Sequence, residues 1–221
     1  MKDMAERLTN RERIAEILRK GIYFGTFQPG QELVQNTIAN QLGVSRMPVR
    51  EAIYILLNEG LVEHIPNRGF FVKNVSRAYF EDYFFIRVLF EQKAVSHICD
   101  HLEDSDELEC FLEEEQKAYE SREVPVLSRF TDRLQRYICA HSGSPRLSAY
   151  LQQLWEMSPR RISQSSEQQE LYIDCSFQYH QSLIKAILNR DKQTACRLIE
   201  NQMEVSKTYY FSIRDELHLD D

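Results

Sequence analysis

Long apolar runs are absent from this sequence, and with them any candidate membrane span, since a helix needs about 20 mostly apolar residues to cross a bilayer. The first residues, Met1-Lys2-Asp3-Met4-Ala5-Glu6, hold no apolar core of the kind a secretory signal requires. Both absences lead us to expect a cytoplasmic protein with no membrane contact. Cysteine is sparse: positions 99, 110, 139, 175 and 196 follow no metal or redox spacing, and five is an odd number. They read as reduced thiols in helices. The seven glycines form no phosphate-cradling loop. No nucleophile elbow occurs either, and no His–carboxylate or Cys–His pair is brought together by spacing alone. Nothing therefore indicates an enzyme, and no cofactor is expected.

Positive charge is also scarce, but unevenly so. Residues 1–75 carry 10 Lys and Arg against 8 Asp and Glu, whereas residues 76–221 carry 17 against 26. The second part would be repelled by phosphate. The first has only a modest surplus to offer it, so a single copy should bind a polyanion weakly and a dimer would double the contacts.

What is present is concentrated between Gln35 and Arg68. Val34 to Leu42 reads as a short helix with Ile38, Ala39 and Leu42 on one side, and Gly43 stands where a left-handed cap is needed. Ser45 is expected to cap a second helix, with Pro48 in its first turn, running to Glu59 and stopping at Gly60. Val49, Ala52, Ile53 and Leu56 share the core side of that helix. Met47, Arg50, Glu51 and Tyr54 point the other way, with Arg46 beside the capped end. Cations belong at helix C-termini, so two arginines in the first turns are poor stability devices. They suit the major groove, where arginine bonds guanine O6 and N7 together. Leu61–Ile65 and Phe70–Val75 are strand-like and joined by Pro66-Asn67-Arg68-Gly69, a tight-turn composition. The whole is a winged helix-turn-helix.

These residues resemble the GntR family of bacterial transcription regulators. The resemblance rests on Pro29-Gly30, Leu33-Val34, Ala39, Leu42 to Arg46, Pro48 to Ala52, Glu59 to Val62 and Arg68-Gly69, dense over about sixty residues. It departs at Gln35 and Thr37, where related sequences usually carry glutamate, and at Met47, where they carry threonine. The DNA-contacting set is expected to be Gln35, Asn36, Ser45, Arg46, Met47, Arg50, Asn67, Arg68 and Gly69, on double-stranded operator DNA.

Before that segment, Thr9-Asn10-Arg11-Glu12 fits a capping box, and Ile14, Ile17, Leu18 and Ile22 give the next helix its apolar stripe. Phe24 to Gly30 is a loop. Lys73 to Arg77 is the expected linker between a DNA-binding domain, 1–75, and a second domain, 76–221. From Arg77 onward the pattern is all-helical. Helices are expected to about His101, from Ser105 to near Ser121, from Pro125 to Ala140, from a Ser144 cap through Trp155, over 168–189, and over 191–215 with Asp191 as cap. Ser158 to Ser166 is a loop between them. The fold class is mostly α: a winged helix followed by an antiparallel all-α bundle.

The second part resembles the FadR C-terminal type of effector domain, FCD, through Arg87 and Glu91, Ser142 to Leu147, and His180, Ala186-Ile187, Asp191 and Ala195. Many such domains hold a divalent metal with one aspartate and three histidines. The corresponding positions here are Thr131, Gln135, His180 and Gln202, and moving one residue to use Asp132 puts Arg136 at the histidine position. One imidazole, two amides and a hydroxyl make a poor transition-metal site, so no metal is expected. His97 and His101 read as surface or interface residues, and Glu113-Glu114-Glu115 as a solvated helix face.

The resemblance also implies that those four polar positions converge in the bundle, where unpartnered polar groups are costly and a ligand would satisfy them. Arg87 is expected to clamp a carboxylate. The effector set is therefore Arg87, Thr131, Gln135, His180 and Gln202. A small organic acid such as a sugar acid is expected, with a long acyl thioester as the runner-up. The expected function is a homodimeric, ligand-responsive transcription regulator, a repressor. The alternative is a DNA-binding architectural or adaptor protein with no effector.

Overall fold

The computed structural model describes residues 9–158 and 166–217. Most of the expected Ser158–Ser166 loop lies outside them. Among the described residues the order is α1 (Asn10–Tyr23), α2 (Gln35–Leu42), α3 (Arg46–Asn58), β1 (Val62–Ile65), β2 (Gly69–Val72), α4 (Arg77–His101), α5 (Asp106–Glu120), α6 (Val124–Ala140), α7 (Pro145–Glu156), α8 (Ser166–Leu188) and α9 (Lys192–Glu216). The chain divides into two compact units, residues 1–80 with 211–221, and residues 81–210.

In the first unit, α1 begins with the expected capping box: Thr9 Oγ1 accepts from the Glu12 amide, and the Glu12 carboxylate accepts from the Thr9 amide at 2.8 Å. Ile14, Leu18 and Ile22 are buried, but Ile17, expected in the same stripe, is 43% exposed. At 100° per residue it falls on the far edge of the face that meets α3. Gly43 ends α2 in the left-handed conformation, φ 65°. Ser45 has the extended backbone of a cap but makes no side-chain cap bond, so the expected hydroxyl cap is absent. Val49, Ala52, Ile53 and Leu56 are fully buried. The wing pairs Val62 with Val72 and Ile65 with Gly69. Its turn has Pro66 at the second position and Asn67 at φ 61° at the third, with the Arg68 amide bonded to Ile65 O at 3.0 Å, which is type II geometry.

Two features of this unit escape a sequence reading. The segment after Gly30 adds a third edge to the wing: the Gly30 and Leu33 amides donate to Val72 O and Phe70 O, both at 2.8 Å. And α9 ends inside this unit, where buried Arg214 donates to Tyr23 O at 3.2 Å and to Val75 O at 3.1 Å and lies over the Phe80 ring.

In the second unit, Ala94, Val95 and Ile98 of α4 pack with Leu108 and Phe111, Leu134 and Ile138, Leu151, Ile184 and Ile187, and Ile199. Ser144 caps α7 by accepting from the Leu147 amide at 3.3 Å, and Asp191 caps α9 by accepting from the Thr194 amide at 3.0 Å. Ser105 does not cap α5; its hydroxyl bonds the Glu109 carboxylate instead. His97, half-buried, lies against Gly143, whose φ is 74°.

The α1–α3 contact is locked by a buried ion pair. Arg19 and Glu59 side chains are 6% and 5% exposed, with Nε at 2.8 Å from one carboxylate oxygen and an Nη at 2.5 Å from the other. Removing one partner strands a charge, at a cost of about 3–5 kcal/mol, whereas an apolar pair of similar volume is often neutral. Glu59→Ala should therefore lower stability strongly, and Arg19→Met with Glu59→Leu should restore most of it. Chemical denaturation of the three proteins checks this, and equal loss in the single and double variants would refute it.

Candidate DNA-binding face and effector cavity

The DNA-binding candidates occupy two places in the first unit. Ser45, Arg46, Met47 and Arg50 lie in the exposed first turns of α3, with Met47 59% exposed. Arg46 Nε donates to Gln35 Oε1 at 2.9 Å, which ties the start of α3 to the start of α2 and sets the arginine's direction. Asn36 is exposed beside it. Arg50 lies over the Tyr54 ring, 5.7 Å to its centre, and Tyr54 meets Phe70 of the wing edge-on at 5.4 Å. Asn67, Arg68 and Gly69 form the wing tip, with Arg68 over the Phe71 ring. Gly69 has φ 121°, a backbone conformation that favours glycine, and a Cβ there would only push aside the flexible end of the exposed Glu32 side chain. The arginines thus stand on aromatic or amide supports with their charges turned outward.

In the second unit a cavity of about 280 Å³ receives all five expected effector residues: Arg87 from α4, Thr131 and Gln135 from α6, His180 from α8 and Gln202 from α9. Their chemistry differs from the expectation in three respects. First, Arg87 is no free clamp. It is 8% exposed, its Nε bonds Glu91 Oε1 at 2.6 Å, and one Nη reaches Tyr83 Oη at 3.4 Å. The Trp155 indole also donates to Glu91 Oε1, at 2.6 Å. Although burial opposes the charge, Glu91 and then Tyr83 hold the guanidinium firmly protonated. Second, Thr131 satisfies itself, donating to Leu127 O at 3.1 Å one turn earlier. Third, the lining is largely apolar, with Phe84, Leu134, Ile138, Leu183 and Met203 in its walls. The polar lining expected from four side chains is a minority of it.

Glu115 corrects the reading of the acidic run as a solvated face. Glu113 is exposed and Glu114 half-buried, but Glu115 is 0% exposed. It lies outside the cavity lining and bonds His180 Nδ1 through Oε1 at 2.7 Å, while Oε2 has no hydrogen-bond partner. Burial pushes its carboxyl above the usual range; the bond to His180 pulls the other way, and the nearby Gln181 amide lowers it further without bonding Oε2. The signal was available in the sequence. Leu108, Phe111, Glu115 and Ala118 recur at the spacing of one buried helix face, and all four are buried.

The family's metal does not fit these residues. The hydroxyl at 131 is spent on backbone, positions 135 and 202 are amides, and His180 offers one nitrogen. Among the described residues no three His, Cys, Asp or Glu side chains are grouped to hold an ion. His97 and His101 stack on each other, ring centres 4.1 Å apart, without a third ligand.

Two family models match the sequence: "Bacterial regulatory proteins, gntR family" over residues 10–72 and "FCD domain" over residues 82–204. The chain is a gntR-family regulator with an FCD domain. Among curated relatives, the uncharacterized regulator YdhC of Bacillus subtilis is 35% identical over 103 residues, 46% of each chain. The Escherichia coli regulator McbR is 29% identical over 140 residues, 62% of this chain and 63% of its own length. The matched regions thus span about half to three-fifths of these two relatives. Among solved structures, E. coli McbR/YncC superposes with a TM-score of 0.64 at 22% identity, covering 93% of this chain and 99% of that one. Lar, described as controlling the Listeria monocytogenes agr system, gives 0.58 at 17% identity over 94% and 99%. Both likenesses are of fold. Among the described residues no helix of this gntR-family chain is long and apolar enough to cross a membrane.

This ligand chemistry predicts a regulator that is purified without metal. Elemental analysis of protein prepared without added metal should find no stoichiometric zinc, nickel or manganese, and one equivalent of any of them would overturn the assignment.

Proposed function

We propose that this chain is a ligand-responsive bacterial transcription repressor, cytoplasmic and not an enzyme, that binds operator DNA as a homodimer and is modulated by a small metabolite in the FCD cavity. Residues 1–75 form the DNA-binding domain and residues 76–221 the effector and dimerisation domain. The observation that carries this reading is the exposed start of α3, where Arg46 and Arg50 stand outward on Gln35 and Tyr54. Helix-turn-helix proteins read base edges with that part of the second helix, and dimers match two half-sites one helical turn apart.

The alternative, an adaptor with no effector, leaves a cavity of about 280 Å³ lined by His180, Gln135 and Gln202 without a purpose. The effector reading gives it one. The organic acid expected from sequence relied on a free Arg87. With Arg87 already paired, the class supported by the lining is a small molecule with an apolar body and acceptor oxygens, a carboxylic acid or an uncharged relative. A metabolite that binds here should raise the melting temperature by mass action on the folded state. Its effect should shrink in His180→Ala.

On DNA, Arg50→Ala should cost about 1–3 kcal/mol and relax base preference at one position per half-site. Loss of a phosphate contact would instead weaken all sequences alike. Footprinting to locate the operator, followed by titration of wild type and of Arg46→Ala/Arg50→Ala, tests the reading. Unchanged operator affinity in the double variant would exclude these arginines.

A further inference from the structure

The cavity has a charge balance that constrains its occupant more tightly than its shape does. Its charged lining residues, among those described, are Arg87 and Glu91, which bond each other at 2.6 Å and cancel. The remaining ionisable partners are His180, in the lining, and Glu115, behind it. The proton arrangements open to that pair differ in net charge. With one proton, on Nδ1, a carboxylate with no exposure and one unpartnered oxygen is left as a net buried charge. Such a charge is strongly disfavoured in a protein interior. With two protons the pair is neutral overall, as imidazolium with carboxylate or as imidazole with carboxylic acid. In both of these forms the shared proton lies between Nδ1 and Oε1 and Nε2 keeps its own hydrogen, whereas the remaining neutral form, an Nδ1–H imidazole with the acid proton on Oε2, would leave a buried O–H donor without an acceptor.

Nδ1 is turned to Glu115, outside the lining, while His180 itself lines the cavity, and among the described residues its Nε2 makes no hydrogen bond. The half-buried side chains of Gln135 and Gln202 add amide N–H groups at the same surface. The cavity thus presents donors, apolar walls and no surplus charge. An anion entering it would be the one uncompensated charge there.

Resting on the reading of this cavity as the effector site, we propose that the effector is an uncharged molecule with an apolar body and a carbonyl-type acceptor (amide, ester, lactone or ketone), received by Nε2–H of His180, and that Glu115 is the positioning residue that keeps this donor in place. This differs from a carboxylate effector held by Arg87. It gives Arg87 and Glu91 the task of closing one wall as a neutral unit, with Trp155 bonded to the same carboxylate oxygen.

Two measurements on the full chain test it. The first needs no ligand: nitrogen-15 spectra of histidine-labelled protein at neutral pH should show His180 protonated at Nε2, assigned by its loss in His180→Gln. A bare Nε2 would overturn the donor assignment. The second is titration with matched probes: benzoate, benzamide and methyl benzoate, then the phenylacetate and hexanoate sets. Within a set that binds, the uncharged members should bind about ten-fold or more tightly than the carboxylate. His180→Phe should remove that binding, and His180→Gln, which keeps an N–H donor, should retain part of it. Glu115→Leu should weaken the uncharged probes while leaving operator binding in place. A carboxylate that binds more tightly than its amide and ester would overturn the proposal and leave the effector site standing. Binding untouched by His180→Phe would place the ligand elsewhere, and no binding by any probe would count against the effector reading itself.

Discussion

The cost of an unpaired charge away from water is the constraint on which most of this structure depends. A buried ion pair is no great source of stability, but breaking one is expensive, so each pair acts as a requirement that two elements stay together. Arg19 and Glu59 impose it between α1 and the end of α3. Arg87 and Glu91 impose it within α4, and Trp155 of α7 is attached through the same oxygen. The buried Glu115–His180 hydrogen bond imposes a like requirement between α5 and α8. In each case the carboxylate has little or no exposure, so relaxation into solvent offers no escape.

That constraint also separates the two jobs of arginine here. Arg46, Arg50 and Arg68 are exposed, supported by Gln35, Tyr54 and Phe71, and available to phosphate or base edges. Arg19, Arg87 and Arg214 are buried and spent on protein acceptors. Position in the helix distinguishes the first group: cations at the start of α3 oppose the helix dipole and gain nothing from it. Their retention there makes sense when an anion is to be met. The acidic balance of the residues after 75 has the complementary effect of keeping duplex DNA to the winged helix.

Helix boundaries were legible in the sequence because they depend on local chemistry. Thr9, Gly43, Ser144-Pro145 and Asp191 act within one turn of themselves, and the structure bears each of them out. Ser45 and Ser105 show the limit of the same rule. A hydroxyl with another partner, or merely solvated, leaves the helix start in place without the cap bond. The convergence of Thr131, Gln135, His180 and Gln202 was anticipated through resemblance, not spacing, since three helices contribute. What stayed hidden was pairing between distant residues. Arg87 looked free because its neighbour Glu91, one turn on, was read as a family marker and not as its counter-ion. Glu115 looked solvated because two acidic neighbours masked its place on the buried face. Nothing local announces that Arg214 is held by Tyr23 and Val75, 191 and 139 residues away.

Loss of the metal set changes how such a cavity must discriminate among ligands. A bound cation would supply one strong, charge-seeking contact, and anionic ligands would follow from it. The lining here offers separate weaker polar groups instead: the His180 ring, two amides, and serine and tyrosine hydroxyls. Each contributes modestly when satisfied and costs more when left facing an apolar group. Selectivity then comes from rejection. A ligand without an acceptor at the right place strands a donor, and one with a full charge lacks a counter-ion, while the walls of Phe84, Leu134, Leu183 and Met203 reward apolar area without distinguishing its source. On the proposed effector reading, a regulator built this way would respond to a shape and an acceptor pattern, with the buried carboxylate of Glu115, which no ligand needs to touch, holding the ring that reads it.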